Sequence, residues 1–138
     1  MASGSTELGT VAYLDSSALI KLVIPEPESE KLRAELALWS RHASSAVART
    51  EVVRAAAQVD PAARERARLI VRAVSLIAVT DEILERAANL EPPTLRSLDA
   101  LHLASALSLG GVLGPVVTYD ARLAEAASAV GLDVLAPE

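Results

Sequence analysis

Residues 11–20 have the sequence VAYLDSSALI, and the interpretation of the whole chain starts from them. The apolar run over residues 11–14 predicts a short buried strand, and Asp15 stands at its carboxyl end. The hydroxyl residues Ser16 and Ser17 follow, and a helical pattern continues over 17–23. In an open parallel sheet, ligands bind outside the carboxyl ends of the strands. Asp15 is therefore the first candidate for an active-site residue.

The rest of the chain alternates between short apolar runs and amphipathic segments. Further strands are predicted over residues 43–47, the later part of 74–79, 112–119 and 132–135. Helices are predicted over residues 29–39, 48–59, from Asp60-Pro61 onward, from Thr80 to near Glu91, over 97–109 and over 121–129. Strands that alternate with helices predict an α/β sandwich with a mainly parallel central sheet of four to five strands flanked by helices.

A single domain is predicted over residues 11–138, because a chain of 138 residues can bury a hydrophobic core without disulfides. Hydrophobic residues make up 51% of the chain and Phe is absent, so we expect an aliphatic core. Residues 1–10 are rich in Ser and Gly and lack the basic start and apolar run of a signal peptide. We expect them to be a disordered leader or a cloning remnant.

The chain has no cysteine, which excludes a disulfide framework and a thiolate metal site. Its apolar stretches are shorter than the roughly 18 uncharged residues that a membrane span needs. Together these features predict a cytoplasmic protein with no membrane partner.

The formal net charge of −5 argues against a polyanionic partner, because non-specific nucleic-acid binding comes mostly from neutralising phosphates. The distribution of charge qualifies this argument. Only Lys21 and Lys31 are lysines, and arginines are concentrated at residues 64–72. If several acids converge on bound divalent cations, the working surface is less negative than the total charge suggests.

Most carboxylates have an ordinary structural explanation. Asp60 and Asp81 each stand where a helix begins, so we interpret them as helix caps. Asp15 and Asp120 each follow a predicted strand, and a capping role for them is as plausible as a functional one. Glu51 lies in an otherwise aliphatic helix, where an exposed pairing with a neighbouring arginine is the simpler interpretation.

Asp99 is the carboxylate for which a purely structural role, such as a helix cap, is the weakest explanation. It lies in the segment 97–109, which is apolar nearly all round and is therefore expected to be buried on most sides. An ionised carboxylate in such a place is costly unless it is paired, hydrogen-bonded or bound to a metal. His102 lies three residues further on the same face, and we interpret it as a satisfied histidine at the edge of the core rather than as a ligand.

Considered together, the four acids indicate a shared site. In a parallel α/β sheet Asp15 and Asp120 leave the same edge, and Glu51 and Asp99 lie early in helices that could begin there. Two unit charges about 4 Å apart repel by roughly 4 kcal/mol at an effective dielectric of 20, so four acids cannot share a pocket uncompensated. An all-oxygen ligand set favours Mg²⁺, with Mn²⁺ as a possible substitute, over zinc.

At this point the sequence resembles the PIN-domain family, and specifically the VapC-type ribonuclease toxins of prokaryotic type II toxin–antitoxin systems. Four segments carry the resemblance, and their order and spacing cover nearly the whole chain after the leader. They are residues 14–22 (LDSSALIKL), 49–52 (RTEV), 95–104 (LRSLDALHLA) and 117–123 (VTYDARL).

The resemblance implies a PIN-like fold and a Mg²⁺-dependent endoribonuclease whose products carry 5′-phosphate and 3′-hydroxyl ends. It implies that Asp15, Glu51, Asp99 and Asp120 form a catalytic metal site, with Asp15 and Asp99 as the surest ligands. Two hydroxyl residues, Ser16 and Thr118, match positions that support such a site. Candidate phosphate contacts, which could instead pair with the acids, are Arg96, Arg122 and, less surely, Arg49.

The resemblance also implies protein partners. Members of this family form homodimers and bind a cognate antitoxin, which lies across apolar grooves near the first helices. Apolar residues that would suit such a groove, and that core packing explains equally well, are Leu19, Leu22, Val23 and Trp39.

Other functions fit the residues less well. A signalling receiver domain needs a lysine after a late strand, and the chain has no lysine after Lys31. A phosphatase of the haloacid dehalogenase type needs an Asp two positions after Asp15, where Ser17 stands. A catalytically silent PIN domain that binds RNA or protein remains the alternative, because intact acids do not guarantee turnover.

Overall fold

The structure is a computed structural model, and it describes residues 9–138. The first eight residues of the predicted leader lie outside the described residues. In that part of the chain no helix is both long enough and apolar enough to cross a membrane.

Strands and helices alternate along the described chain, as predicted. The strands are β1 (Val11–Leu14), β2 (Arg41–Ser45), β3 (Ser75–Ile77), β4 (Leu113–Val117) and β5 (Val134–Leu135). The α-helices are α1 (Ser16–Val23), α2 (Ser29–Leu36), α3 (Ala48–Ala57), α4 (Pro61–Arg72), α5 (Asp81–Ala88), α6 (Ser97–Leu107) and α7 (Ala121–Ala129). A 3₁₀ turn over Gly110–Val112 leads into β4.

The five strands form one parallel sheet in the order β3-β2-β1-β4-β5. The predicted α/β sandwich is therefore confirmed. The chain moves outward from β1 to β2 and β3, and then returns to place β4 on the other side of β1. This reversal opens a crevice at the carboxyl ends of β1 and β4, which is where open α/β sheets bind their ligands.

The two faces of the sheet have separate aliphatic cores. On one face, Ala12 and Leu14 of β1 pack in a cluster with buried residues of helices α1 to α4. On the other face, Val11 and Tyr13 pack with Ala106 of α6. All four residues of β1 are buried because helices cover both faces of a parallel sheet. The central strand therefore holds Asp15 in a rigid setting.

A bulge sets the register of β4 against β1. Val11 pairs with Leu113 and Tyr13 pairs with Val116, so two steps along β1 match three steps along β4. The extra step includes Pro115, which has no N–H for a ladder and is tolerated inside a sheet at bulges. Beyond the bulge Leu14 pairs with Val117. The residues that follow, Asp15 and Thr118, therefore emerge side by side.

Several element boundaries differ from the sequence-based expectations. Strand β2 begins at Arg41, two residues before the predicted start, and β4 ends at Val117 rather than at 119. The cap of α5 is Thr80, whose hydroxyl accepts from the backbone N–H of Ile83, so the assignment of Asp81 as a cap was wrong. Asp81 is the first helical residue, where an acid favours the helix dipole instead. The Asp60 cap is confirmed, with Pro61 at the first helical position.

Gly114, the second residue of β4, lets the beginning of this strand pass close to Trp39. A Cβ at position 114 would lie 2.6 Å from Trp39 Cζ3 and 2.9 Å from the carbonyl oxygen of Gly9. The indole has little room to move, because its Nε1 donates to Glu35 Oε2 at 3.1 Å. A glycine is therefore required at this position by the close approach of an aromatic ring and backbone.

We expect Gly114→Ala to destabilise the fold by about 1–3 kcal/mol, the usual cost of overpacking. Thermal unfolding followed by circular dichroism measures the change. In a Trp39→Leu background the same substitution should cost less, because the ring atoms that meet the new methyl group are gone. An unchanged melting temperature in Gly114→Ala would contradict this account of the contact.

Candidate active site

Asp15 is a buried carboxylate held by three donors. Its Oδ1 accepts from Ser17 Oγ at 2.7 Å and from the backbone N–H of Ala18 at 3.0 Å, and its Oδ2 accepts from Thr118 Oγ1 at 2.7 Å. Only 3% of Asp15 is exposed. The capping interpretation of Asp15 is thus confirmed, since the Ala18 contact is the N-cap bond of α1. The cap bond uses Oδ1 and leaves Oδ2 to the contact with Thr118, so capping does not by itself exclude a functional role.

Burial raises the pKa of Asp15, and the hydrogen bonds from Thr118 and Ser17 only partly oppose this rise. Asp15 is therefore poorly solvated, and additional positive charge nearby would stabilise its ionised form. Such a group in a crevice is a mark of a functional site.

Hydroxyl groups tie the ends of β1 and β4 together. Ser17 Oγ accepts from the backbone N–H of Tyr119 at 2.9 Å, and Thr118 Oγ1 accepts from that of Asp120 at 3.0 Å. Thr118 was predicted to support the site and does contact Asp15 directly. The contribution of Ser17 was missed, although a Ser two residues after an N-cap Asp is a typical local hydrogen-bonding partner.

Glu51 lies in the first turn of α3 and is also held by side-chain donors. Its Oε1 accepts from Ser16 Oγ at 2.5 Å and is 2.8 Å from His102 Nε2. Burial opposes the charged form of Glu51, but the hydrogen bonds from His102 and Ser16 prevail and lower its pKa. Glu51 is therefore ionised at neutral pH. It contacts no arginine at ion-pair distance within the described residues, so the expected surface pairing was wrong.

His102 is buried in α6 with only 2% of its surface exposed. Besides Glu51, its ring contacts Tyr13, whose hydroxyl lies 2.7 Å from His102 Nδ1. The interpretation of His102 as a satisfied core histidine agrees with these contacts. Its connection to Glu51 was missed, because nothing in the sequence separation of 51 residues indicates it.

Asp99 and Asp120 complete the set of four acids. Burial raises the pKa of the half-buried Asp99, and the negative charges of Asp120, Asp15 and Glu51 raise it further. Asp120 caps α7, since its Oδ1 accepts from the backbone N–H groups of Arg122 and Leu123 at 2.9 and 3.1 Å. All four acids therefore belong to one electrostatic region at the crevice.

This region has no cationic partner among the described residues. Residues 9–138 contain no ion pair between a Lys or Arg and any of the four acids, and Lys21 pairs instead with Glu26 and Glu28. The same residues contain no group of three or more Asp, Glu or His side chains already spaced to hold a metal ion. Asp99 is thus close enough to the other three acids to be repelled by them, but the four acids do not form a preassembled coordination sphere.

Arginines line two clefts on the surface. Arg96 and Arg122 border a small cleft of about 270 Å³ together with Asp120 and Ala121. Arg49 borders a larger cleft of about 650 Å³, with Arg68 and Arg72 from α4. The arrangement puts Arg96 and Arg122 beside one of the four acids.

Comparison with known proteins identifies the family of the chain. The family model of the PIN domain matches residues 12–129, which include all four acids. The chain belongs to the PIN-domain family. It is 45% identical over 125 residues to Ribonuclease VapC46 of Mycobacterium tuberculosis, with 91% of this chain and 96% of the relative covered. It is 38% identical over 130 residues to Ribonuclease VapC47 of the same species, with the same coverage. It thus falls in the VapC group.

Solved structures show the same fold at lower sequence identity. A toxin–antitoxin complex from Klebsiella pneumoniae superposes with a TM-score of 0.72 at 22% identity, covering 92% of this chain and 98% of that chain. Mycobacterium tuberculosis VapC20, a toxin that cleaves the sarcin–ricin loop, superposes with a TM-score of 0.71 at 17% identity, covering 91% and 99%. The predicted PIN fold is confirmed.

We expect Asp99→Asn to stabilise the folded protein at neutral pH when divalent metals are removed with EDTA. A carboxyl group whose pKa is raised by folding costs stability above its ordinary pKa, because the unfolded chain loses that proton more easily. The amide removes this cost, so the melting temperature should rise by a few degrees. The gain should shrink as the pH is lowered toward the ordinary value of 3.8.

The matched control is Asp133→Asn, which changes an exposed Asp at the amino end of β5 and should leave the melting temperature unchanged. A melting temperature of Asp99→Asn at or below that of the unmodified protein would show that Asp99 does not experience the repulsion described.

Proposed function

We propose that this chain is a Mg²⁺-dependent endoribonuclease, a VapC-type toxin that hydrolyses RNA phosphodiester bonds and is neutralised by a cognate antitoxin. The observation that carries the proposal is the set of four carboxylates at the crevice, three of which raise the pKa of the fourth, Asp99, without a Lys or Arg partner in the described chain. The names of the VapC relatives, which are ribonucleases, support the same reaction.

The chemistry of the four acids fits a hard divalent cation. Each of the four side chains offers carboxylate oxygens, which Mg²⁺ and Mn²⁺ prefer, and the chain has no cysteine that would favour zinc. Burial raises the pKa of Asp15, and burial together with repulsion by the other acids raises that of Asp99; a bound cation would lower both values. Asp15, Asp99, Glu51 and Asp120 are the proposed ligands.

A bound divalent cation lowers the pKa of a coordinated water and stabilises negative charge on the scissile phosphate. The protein contributes the positions of the groups around that chemistry. Thr118, which follows β4, and Ser17 of α1 hold the Asp15 carboxylate, so it cannot rotate freely when the surrounding charge changes. Ser16 holds Glu51 in the same way.

Glu51 is better suited than Asp120 to orient the attacking water. Its pKa is lowered, so it stays ionised and can accept a hydrogen bond from water at neutral pH. Asp120 uses one oxygen to cap α7. We therefore assign the water-orienting role to Glu51 rather than to Asp120, which remains a proposed ligand.

An antitoxin partner is part of the proposal. One structural neighbour is a toxin–antitoxin complex, and another is VapBC2 of Rickettsia felis, which is described as bound to a DNA fragment from its promoter. Leu19 and Val23 are buried in the core, so they are not available to bind such a partner directly. Homodimer formation is likewise proposed from the family resemblance.

We expect the purified chain to cleave structured RNA in the presence of Mg²⁺ and to lose this activity in EDTA. Asp15→Asn and Asp99→Asn should each lower the cleavage rate by at least about 100-fold, because each removes a charge that the cation needs. Sequencing of RNA ends after induction in cells gives the cut sites and the end chemistry.

The control for this experiment is Asp133→Asn, which should cleave at the unmodified rate. If the folded protein binds RNA but no Mg²⁺-dependent cleavage is found, the chain is a catalytically silent PIN domain instead.

We expect Arg96→Ala and Arg122→Ala to raise the KM for RNA more than they lower kcat, because both side chains border the cleft beside Asp120. Loss of one phosphate contact should also reduce the salt dependence of binding by about one counterion. Arg86→Ala, which changes an exposed arginine on α5, is the matched control. Equal KM values in all three variants would show that Arg96 and Arg122 do not contact the RNA.

A further inference from the structure

Three buried or half-buried side chains form a line from the central strand to the site. Tyr13 of β1, 0% exposed, contacts His102 Nδ1 through its hydroxyl at 2.7 Å, and His102 Nε2 contacts Glu51 Oε1 at 2.8 Å. The phenol and imidazole rings also meet edge to face, with centroids 5.9 Å apart and an interplanar angle of 74°.

We propose that Tyr13 and His102 are positioning residues that orient the Glu51 carboxylate toward the other acids and support its binding of a divalent cation. The inference rests on the proposed function and extends it to two residues that do not belong to the set of four acids.

The chemistry of the three groups fixes the direction of their hydrogen bonds. An ionised carboxylate only accepts, so the contact with Glu51 requires a proton on His102 Nε2. A neutral imidazole then has a lone pair on Nδ1, and the Tyr13 hydroxyl, which is protonated at neutral pH, donates to it. In this arrangement every group in the line has a partner.

The opposite direction fails at Glu51. If only Nδ1 carried the proton, the lone pair of Nε2 would face the ionised Glu51 carboxylate 2.8 Å away, and neither group could donate to the other. The surroundings of Tyr13 do not decide the direction, because the nearby Ser44 and Ser105 hydroxyls could accept its hydrogen. The contact with Glu51 therefore selects the direction from Tyr13 to Glu51.

The same contacts also fix the position of Glu51 relative to two other acids. His102 lies three residues after Asp99 on the same face of α6, and Ser16, the second donor to Glu51 Oε1, is the neighbour of Asp15. Glu51 is a long side chain that would otherwise rotate freely, with 23% of it exposed. Its two donors thus connect α3 to the elements that carry Asp15 and Asp99. Partners that hydrogen-bond to ligating carboxylates typically contribute 10- to 100-fold in metal affinity.

A purely structural Tyr–His pair is the competing explanation. It predicts that substitutions lower the melting temperature without a specific effect on metal binding, and that any residue that fills the space restores function. The experiment must therefore separate packing from the hydrogen bond to Glu51.

The test uses the full chain and Mn²⁺ as the probe, with binding measured by electron paramagnetic resonance. We expect His102→Leu to weaken Mn²⁺ binding by about 10- to 100-fold. In His102→Gln the side-chain amide can still donate to Glu51 and should restore most of the affinity. Tyr13→Phe should cause a smaller loss, because the ring stays but the hydrogen bond to Nδ1 is gone.

The other histidine of the chain provides the matched control. His42 bonds through Nε2 to the backbone oxygen of Leu36 at 2.8 Å, away from the acids, so His42→Leu should leave Mn²⁺ affinity unchanged. Circular dichroism and thermal unfolding verify that each variant is folded. Equal losses in His102→Leu and His102→Gln, or unmodified affinity in a folded His102→Leu variant, would overturn the proposal.

A second measurement does not depend on metal or on RNA cleavage. Nitrogen-15 NMR of the histidine rings reports which nitrogen carries the proton, and we expect Nε2 for His102 in the unmodified protein and a changed ring signal in Tyr13→Phe. A proton on Nδ1 would overturn the proposal. If the unmodified protein neither binds Mn²⁺ nor cleaves RNA, the proposed function fails, while the tautomer still decides whether Tyr13 and His102 act on Glu51 as described.

Discussion

The burial of the Asp15 carboxylate at the end of the central strand is the constraint on which the site depends. Three donors, on Ser17, Ala18 and Thr118, hold it in place, yet burial still raises its pKa. The fold tolerates this cost because β1 lies in the middle of the sheet and cannot turn the side chain toward water. A buried carboxylate with a raised pKa at a crevice is typical of functional sites.

The same strand order brings the remaining acids to the crevice. Because the chain reverses between β1 and β4, the segments after these two strands meet, and the first turns of α3 and α6 add Glu51 and Asp99. Capping and function then coincide, since Asp15 and Asp120 both cap helices and both contribute charge to the crevice. A helix cap at the carboxyl end of a parallel strand is therefore no evidence against a functional role.

Predictions from sequence succeeded where a local pattern carries the signal. The apolar runs located the five strands to within a few residues, and Asp60-Pro61 located the start of α4. They failed at boundaries where tertiary pairing decides, as at β2, whose start at Arg41 is set by pairing with Val11. The cap of α5 was misassigned because Thr80 and Asp81 are both good capping residues, and only the backbone conformation distinguishes them.

The sequence by itself determined the alternating α/β architecture and singled out Asp99 as a candidate, because periodicity and an ionisable residue in an apolar helix are properties of a short stretch of chain. The tertiary structure decided what those acids contact. A β-bulge in β4 brings Thr118 to Asp15, and the packing of α6 against the sheet brings His102 between Tyr13 and Glu51. Such contacts join residues 51 to 103 positions apart, and no local pattern encodes them, because hydrogen bonds between distant residues form only when the whole core has packed.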